Sequence, residues 1–404
     1  MKILMLAPHP FYQARGTPIA ADLVLRALSE RGEHVDIVTF PEGSDKHYPN
    51  VTIHRTPAPK LLGGLCKGIR PGFSVKKVVC DVFLFLQALK LIKSGSYDIV
   101  HAGEEAVFIA LLLKKLFGIP YVYDMDSSLV QQLTDKMPQL QLLAKPLREC
   151  EGVAVRNADA VIAVCQALAT EIAPYHPKKV AIIPDISLLR YEKNQQAEQS
   201  KIESLKEKFN IKGELLMYVG NLESYQGIDL LVASFAEALV AAPTAHLVAI
   251  GGTAADIQKY QQQAQQLNIS NSVHFIGPRP IAHLKPYLDQ ADIVVSPRTQ
   301  GSNTPMKLYS YLDSGKALLA TNLTTHTQVL NDQIALTAAP ETSAFAAGIV
   351  HLVNHPELRT SLGLAAQAYI AKSHTYEAFA RKLTSLYDWV EEEISTHSTP
   401  SVLV

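Results

Sequence analysis

The chain is short of cysteine, long apolar runs and net charge, and each shortage removes a class of protein. Four cysteines (Cys66, Cys80, Cys150, Cys165) stand far apart in 404 residues and form no C-x-x-C pair. That argues against a disulfide scaffold or a zinc ribbon and suits a reducing compartment. Lys plus Arg total 37 against 38 Asp plus Glu, a formal net charge of -1. The basic excess of a general nucleic-acid binder is missing, and no nucleic-acid partner is expected. The longest apolar stretches, 82–86 and 106–113, are far shorter than the roughly 18–20 residues a bilayer span requires. The opening KILMLA run ends at Pro8 without a small-residue cleavage site and reads as a first strand, not a secretion signal. A cytoplasmic location is expected. Also missing are G-x-G-x-x-G after the first strand, a Walker loop, H-E-x-x-H and G-x-S-x-G, and the 14 histidines show no ligand spacing. Dinucleotide, metalloprotease and serine-hydrolase readings fail on those counts, and neither a protein-bound metal nor a cofactor is expected.

What is present is an alternation of short β-type runs with helical stretches. The first half offers KILMLA, HVDIVTF, VTIHRT, YDIVHAG, YVYDM, AVIAV and KVAIIP; the second offers LLMYVGN, AHLVAIGG, VHFIG, ADIVVSP, ALLATN and IALTA. Near-continuous apolar strands are buried on both faces, as in a parallel sheet covered by helices. Two such blocks predict an α/β chain of two doubly wound, Rossmann-like domains facing across a cleft. The polar stretch 192–199 marks the boundary, and the tail from Tyr376 reads as an amphipathic helix carrying the sole tryptophan, Trp389. The expected division is 1–187, 188–373, and a terminal helix 374–396 packed back on the first domain.

Open α/β sheets bind ligands beyond the carboxyl ends of their strands, so the loops there carry the search. In PHPFYQARGTP (8–18), Gly16 permits a turn, Thr17 is expected to cap the next helix, and Pro18 suits its first position. Arg15 would add a charge beside that helix start. PRTQGSNTPMKLYS (297–310) repeats the device, with Thr304 as expected cap, Lys307 in the first turn and Arg298 upstream. A first-turn lysine opposes the helix dipole, and an anion would relieve the conflict. A charge-assisted contact adds roughly 1.5–3 kcal/mol and a helix end about 0.3–1 kcal/mol, so Arg298 and Lys307 form the stronger half of this site. VGNLESYQG (219–227) contributes Gly220, Asn221 and Gln226 as uncharged ligand contacts. Arg279, in GPRP, lies near the same edge as a further ligand candidate, although a surface turn explains it equally well. In the first half, His101 follows YDIV, Asp126 ends YVYDMD, and Glu104 and Glu105 are open to a helix-capping reading.

The succession RGTP, NADAVIAVCQAL, KVAIIPD, YVGNLESYQGIDLL, VHFIGPRP, ADIVVSP and TPMKLYSYLDSGKALLATN resembles the retaining glycosyltransferases of family 4, which have the GT-B fold. The resemblance implies a nucleoside-diphosphate sugar donor on the second domain, a glycan or lipid-linked acceptor against the first, and metal-free chemistry. It places Gly16 and Thr17 at the family's glycine loop and His101 as the catalytic-cleft histidine. It places Gly301, Ser302, Asn303, Thr304 and Ser310 along the donor, with Arg15 and Asp126 toward the acceptor. The sequence departs from the family at four charged positions. The usual Arg and Lys of the V-G-R…K-G stretch are Asn221 and Gln226, and the usual glutamate pair is Ser302 and Ser310. Arg298 and Lys307 are expected to replace the lost cations. A scaffold without catalysis, and a sugar-nucleotide epimerase or hydrolase, stay open as alternatives. Finally, 46–80 holds seven bases (Lys46, Arg55, Lys60, Lys67, Arg70, Lys76, Lys77), no acid, and interleaved Leu61, Leu62, Leu65 and Phe73. That mixture suits an anionic membrane surface, with a solvated loop as the plain alternative.

Overall fold

A computed structural model describes residues 1–13, 16–58, 69, 74–191 and 202–398. The chain divides into two compact units, one of residues 1–184 with the segment from Phe379 onward, the other of residues 185–378.

The first unit is built on seven strands: β1 Lys2–Ala7, β2 His34–Thr39, β3 Val51–Arg55, β4 Ile99–Gly103, β5 Tyr121–Met125, β6 Ala160–Ala163 and β7 Val180–Ile182. Their order is β3-β2-β1-β4-β5-β6-β7, and every pairing is parallel. The second unit has β8 Leu215–Val219, β9 His246–Ile250, β10 Val273–Gly277, β11 Ile293–Ser296, β12 Ala317–Thr321 and β13 Leu336–Ala338. Its order is β10-β9-β8-β11-β12-β13, again all parallel. All thirteen strands coincide with runs legible in the sequence. Each sheet reverses its winding once, between β1 and β4 in the first and between β8 and β11 in the second, and such reversals open the crevice where doubly wound sheets bind ligands.

Five helices of the first unit matter below: α1 Gly16–Glu30, α2 Val75–Ser94, α3 Ala106–Phe117, α4 Leu129–Lys136 and α5 Ala144–Asn157. Ser74 opens α2 by accepting from the Lys77 amide at 3.2 Å, a usual capping arrangement. Gly118 closes α3 at φ +73, the left-handed turn that glycine takes without steric cost. α2 joins β3 to β4 and α3 joins β4 to β5, so right-handed crossovers put both on one face of the sheet. Leu84 and Ala88 of α2 and Ala110 and Leu113 of α3 share a core there with Leu4, Leu6, Val100 and Tyr121. Among the described residues, no helix is long and apolar enough to cross a membrane.

Candidate active site

The second unit gathers its polar groups at the β8/β11 reversal. Lys307 is the first residue of a short helix, Lys307–Asp313, and is half-buried. Its Nζ donates to Tyr218 Oη at 2.8 Å and to Gln226 Oε1 at 2.6 Å, and lies 4.1 Å from the Tyr218 ring centroid. Neither acceptor is anionic. Burial, and then the Arg298 guanidinium, push the lysine well below its ordinary value; a bound anion would restore it. Tyr218 Oη in turn donates to Asn221 O at 2.6 Å. Tyr311 Oη accepts from Val219 N at 2.6 Å and donates to Val219 O at 3.0 Å, fixing the short helix to the end of β8.

Arg298, 7% exposed, organises the neighbouring loop. Its Nε donates to Gln300 O at 2.6 Å, Nη1 to Asn303 O at 3.1 Å and Nη2 to Asn303 Oδ1 at 2.8 Å. Gly301 at φ +100 runs so close that a Cβ would lie 2.2 Å from Nη2, so the turn requires glycine. Behind the loop, Thr321 Oγ1 donates to Arg298 O at 2.6 Å and Thr325 Oγ1 to Asn303 O at 2.7 Å. Fully buried His326 sits 2.8 Å from Ser296 Oγ and 3.0 Å from Thr321 O. A carbonyl can only accept, so the ring carries its proton on Nδ1. Burial lowers His326 to about 3, with Arg298 and Lys307 adding to it. Gly227, φ +74, binds the two loops together, because a Cβ there would stand 1.9 Å from Pro297 O.

The structure therefore brings Gly220, Gln226 and Lys307 together, since a Cβ on Gly220 would fall 3.3 Å from Lys307 Nζ. It gathers Arg298, Gly301 and Asn303 in the adjoining turn. Ser302 is half-buried there, its carbonyl accepting from Gln328 Nε2 at 3.0 Å. Asn221 is exposed, with Nδ2 3.3 Å from Tyr225 Oη. Three expectations need correction. Thr304 does not cap the helix, whose N-cap position is Met306 without a side-chain bond; Thr304 is 1% exposed and its Oγ1 has no hydrogen-bond partner. Ser310 is not open to a ribose, because it is 1% exposed and its Oγ accepts from Leu188 N at 3.0 Å. Arg279 spends its donors on Ile276 O, Pro278 O, Tyr287 Oη and Glu203, and pins the end of β10. Tyr218, Tyr311 and His326 escaped the sequence reading. Their partners lie 30 to 92 residues away or are set by strand alternation, and no local motif flags them.

The first unit changes more. His101 does not follow β4; it is its third residue, pairs between Met5 and Val122, and is fully buried. Nδ1 lies 2.8 Å from Tyr387 Oη and Nε2 3.1 Å from Asp124 Oδ2, so both ring nitrogens are engaged inside the unit. Asp126 stands one residue past β5, at the carboxyl edge and half-buried. It does not cap α4; Ser128 does, accepting from Gln131 N at 3.4 Å. Thr17 is not a cap either, since α1 begins at Gly16 and Thr17 Oγ1 donates to Glu104 Oε1 at 3.2 Å. Glu104 and Glu105 hold Lys77, at 3.4 and 2.6 Å, instead of capping α3. Arg15 lies outside the described residues, as do Lys60, Lys67, Arg70, Leu61, Leu62, Leu65 and Phe73 of the basic stretch. Of the rest of that stretch, Lys46 pairs with Asp22 at 3.3 Å, Arg55 with Asp45 at 2.9 Å and Lys77 as above. Those three charges serve the unit itself, and only Lys76 is exposed.

Two doubly wound units in one chain, the second with a basic crevice at its reversal point, define the GT-B class of glycosyltransferase. Comparison with known proteins agrees. Residues 16–185 match the model of the glycosyl transferase 4-like domain and residues 213–355 that of glycosyl transferases group 1. The chain belongs to this family. It is similar to the D-inositol 3-phosphate glycosyltransferase of Corynebacterium diphtheriae, 23% identical over 96% of this chain and 94% of that one. Among solved structures it is similar to the sucrose-phosphate synthase of Thermosynechococcus elongatus, with a TM-score of 0.76 at 19% identity over 97% and 99% of the two chains. It is also similar to HepE of Anabaena in complex with UDP-glucose, with a TM-score of 0.71 at 18% identity over 96% and 99%.

Proposed function

We propose that this glycosyltransferase is retaining and metal-independent, taking a sugar from a nucleoside diphosphate held by Lys307, with Arg298 shaping the adjoining loop. The observation that carries the reading is the half-buried Lys307 ammonium, whose hydrogen-bond partners, Tyr218 and Gln226, are both neutral. A diphosphate supplies the missing negative charge. Gln226 stands where the family resemblance implies a cation, and its Oε1 directs Lys307 into that role. Arg298 acts through the loop it folds, presenting Gln300 to Asn303 to the donor sugar. The UDP-glucose in HepE makes uridine nucleotides the first to test.

In the proposed reaction the bond from the anomeric carbon to the phosphate oxygen breaks. An acceptor hydroxyl oxygen joins that carbon on the same face, and its proton passes to the departing diphosphate. Lys307 stabilises the charge that develops on the leaving group. On the acceptor side Asp126, at the edge of β5, replaces His101 as the polar group offered to a glycan or lipid-linked acceptor.

Calorimetric titration with UDP, GDP and ADP tests the donor half. One nucleotide is expected to bind, with binding weakened ~10–100-fold in Lys307→Met. Binding of none of them by the parent chain would overturn the reading in favour of a scaffold without catalysis. Products formed from a donor in the absence of acceptor separate transfer from hydrolysis or epimerisation. Full transfer in excess EDTA is expected, and loss of it would overturn metal independence.

A further inference from the structure

We propose that the outward face of α2 and α3 docks on an anionic lipid bilayer. The residues that carry this differ from the 46–80 stretch singled out in the sequence, and the proposal stands apart from the assignment of the donor pocket. Val78, Val82 and Leu86 recur every four residues along α2, and Phe108, Leu112 and Leu116 do so along α3. All six are exposed, Val82 by 53% and Leu116 by 58%. Such a spacing keeps each set on one helix face. Seven of the twelve large apolar side chains exposed among the described residues lie on these two helices, Phe117 being the seventh. The patch is therefore local, where scattered exposed apolar residues would need no explanation.

The two stripes share one surface. Both helices cover the same face of the sheet and bury their other sides in the same core. Their first turns are joined by the ion pairs of Lys77 with Glu104 and Glu105. Among the described side chains of the two helices, the others exposed are Lys76, Lys90, Lys93 and Lys115, with Ser94 at the end of α2. Neither helix exposes an acid; Asp81, the sole one, lies half-buried on the Lys77 side.

That composition chooses the partner. Two copies of the face would bring lysine against lysine, so self-association is opposed. A folded partner protein is ordinarily met by polar rims with matched hydrogen bonds, and here the exposed side chains are hydrocarbon and ammonium with a single hydroxyl. Hydrocarbon stripes flanked by long lysines suit an interface where methylenes enter the acyl boundary and ammonium groups reach phosphate. The lysines select anionic headgroups.

Co-sedimentation of the full chain with vesicles tests this. The parent chain should sediment with phosphatidylcholine vesicles containing about 30 mol% phosphatidylglycerol, hardly at all with phosphatidylcholine alone, and less as salt rises. V82Q/L86Q/L112Q keeps every lysine and should lose about tenfold or more of the binding. K90E/K93E/K115E keeps every apolar group and should lose about a hundredfold. Both triples change exposed positions, and an unchanged melting temperature certifies the fold. No sedimentation of the parent with anionic vesicles would overturn the proposal. So would unaltered binding by either triple, which would place the contact elsewhere or reduce it to charge alone. Retention of the parent on polyglutamate but not on vesicles would assign the face to an acidic protein.

Discussion

At the scale of single residues, a diphosphate held by Lys307, as proposed, would couple its binding to a proton. The lysine's value lies well below the ordinary 10.5 because of burial and Arg298, and a diphosphate favours the charged form. Binding should therefore take up a proton where the free lysine is partly neutral, and affinity should fall as pH rises toward the ordinary lysine value. Calorimetry in buffers of different ionisation enthalpy reads this directly, and Lys307→Met should abolish the uptake. Gly301→Ala should displace the Arg298 fork, because of the 2.2 Å clash and the positive φ. A strain of about 1–3 kcal/mol is expected, seen as a lowered kcat with the fold retained. Lys307, Arg298, Gln226 and Gly220 are legible in the sequence because each lies between a strand and the body of the helix that follows it. The sequence misplaced Thr17 and Thr304 because a Thr-Pro pair names a helix start only to within a residue or two. The cap is whichever residue precedes the first closed turn, and α1 admits Pro18 as its third residue. His101 was misread for another reason. An imidazole in an apolar strand has the same sequence signature whether it faces a cleft or a buried tyrosine.

At the scale of elements, the first turns of α1, α2 and α3 meet in one charged cluster beside the β1/β4 reversal. Lys77 faces Glu104 and Glu105, Thr17 donates to Glu104, and Asp81 stands one turn further along α2 with a buried Oδ1 that has no hydrogen-bond partner. Burial, with Glu105 adding to it and Lys77 opposing it, raises Asp81 to about 8; burial also raises Glu105 to about 7 despite Lys77. A carboxyl raised in the folded state contributes stability that is complete below its unfolded value and is lost as pH rises through the folded one. The melting temperature should therefore fall from about pH 4, where the unfolded carboxyls ionise, to about pH 8, where folded Asp81 does, and Asp81→Asn should flatten that fall; a melting profile unchanged by the substitution would refute the assignment. The strands themselves were fully legible, because a parallel strand covered on both faces must be apolar at nearly every position. The helix contacts were not. Which acid meets which base across α1, α2 and α3 depends on crossover packing, and nothing in the local sequence distinguishes Glu104 the partner from Glu104 the cap.

At the scale of the whole molecule, the first unit is not continuous in sequence. The terminal helix Tyr376–Ser398 gives it Tyr387, fully buried, 286 residues from its partner His101. Arg31 reaches the same helix at Asp388 and Glu391, 2.8 Å from each. Tyr387→Phe should leave His101 Nδ1 without its partner and lower stability by about 1–3 kcal/mol, measured by denaturant unfolding, while nucleotide binding by the second unit is unchanged. Equal loss of nucleotide binding would contradict that separation. The arrangement also orders events at the ribosome. A domain encoded in one stretch can finish folding as soon as it has emerged. This one starts before the second unit and waits, with an open imidazole and an uncovered flank, through the synthesis of that entire unit. Its closing helix is translated only after the second unit, so of the two units the one whose strands are made earlier completes its fold later.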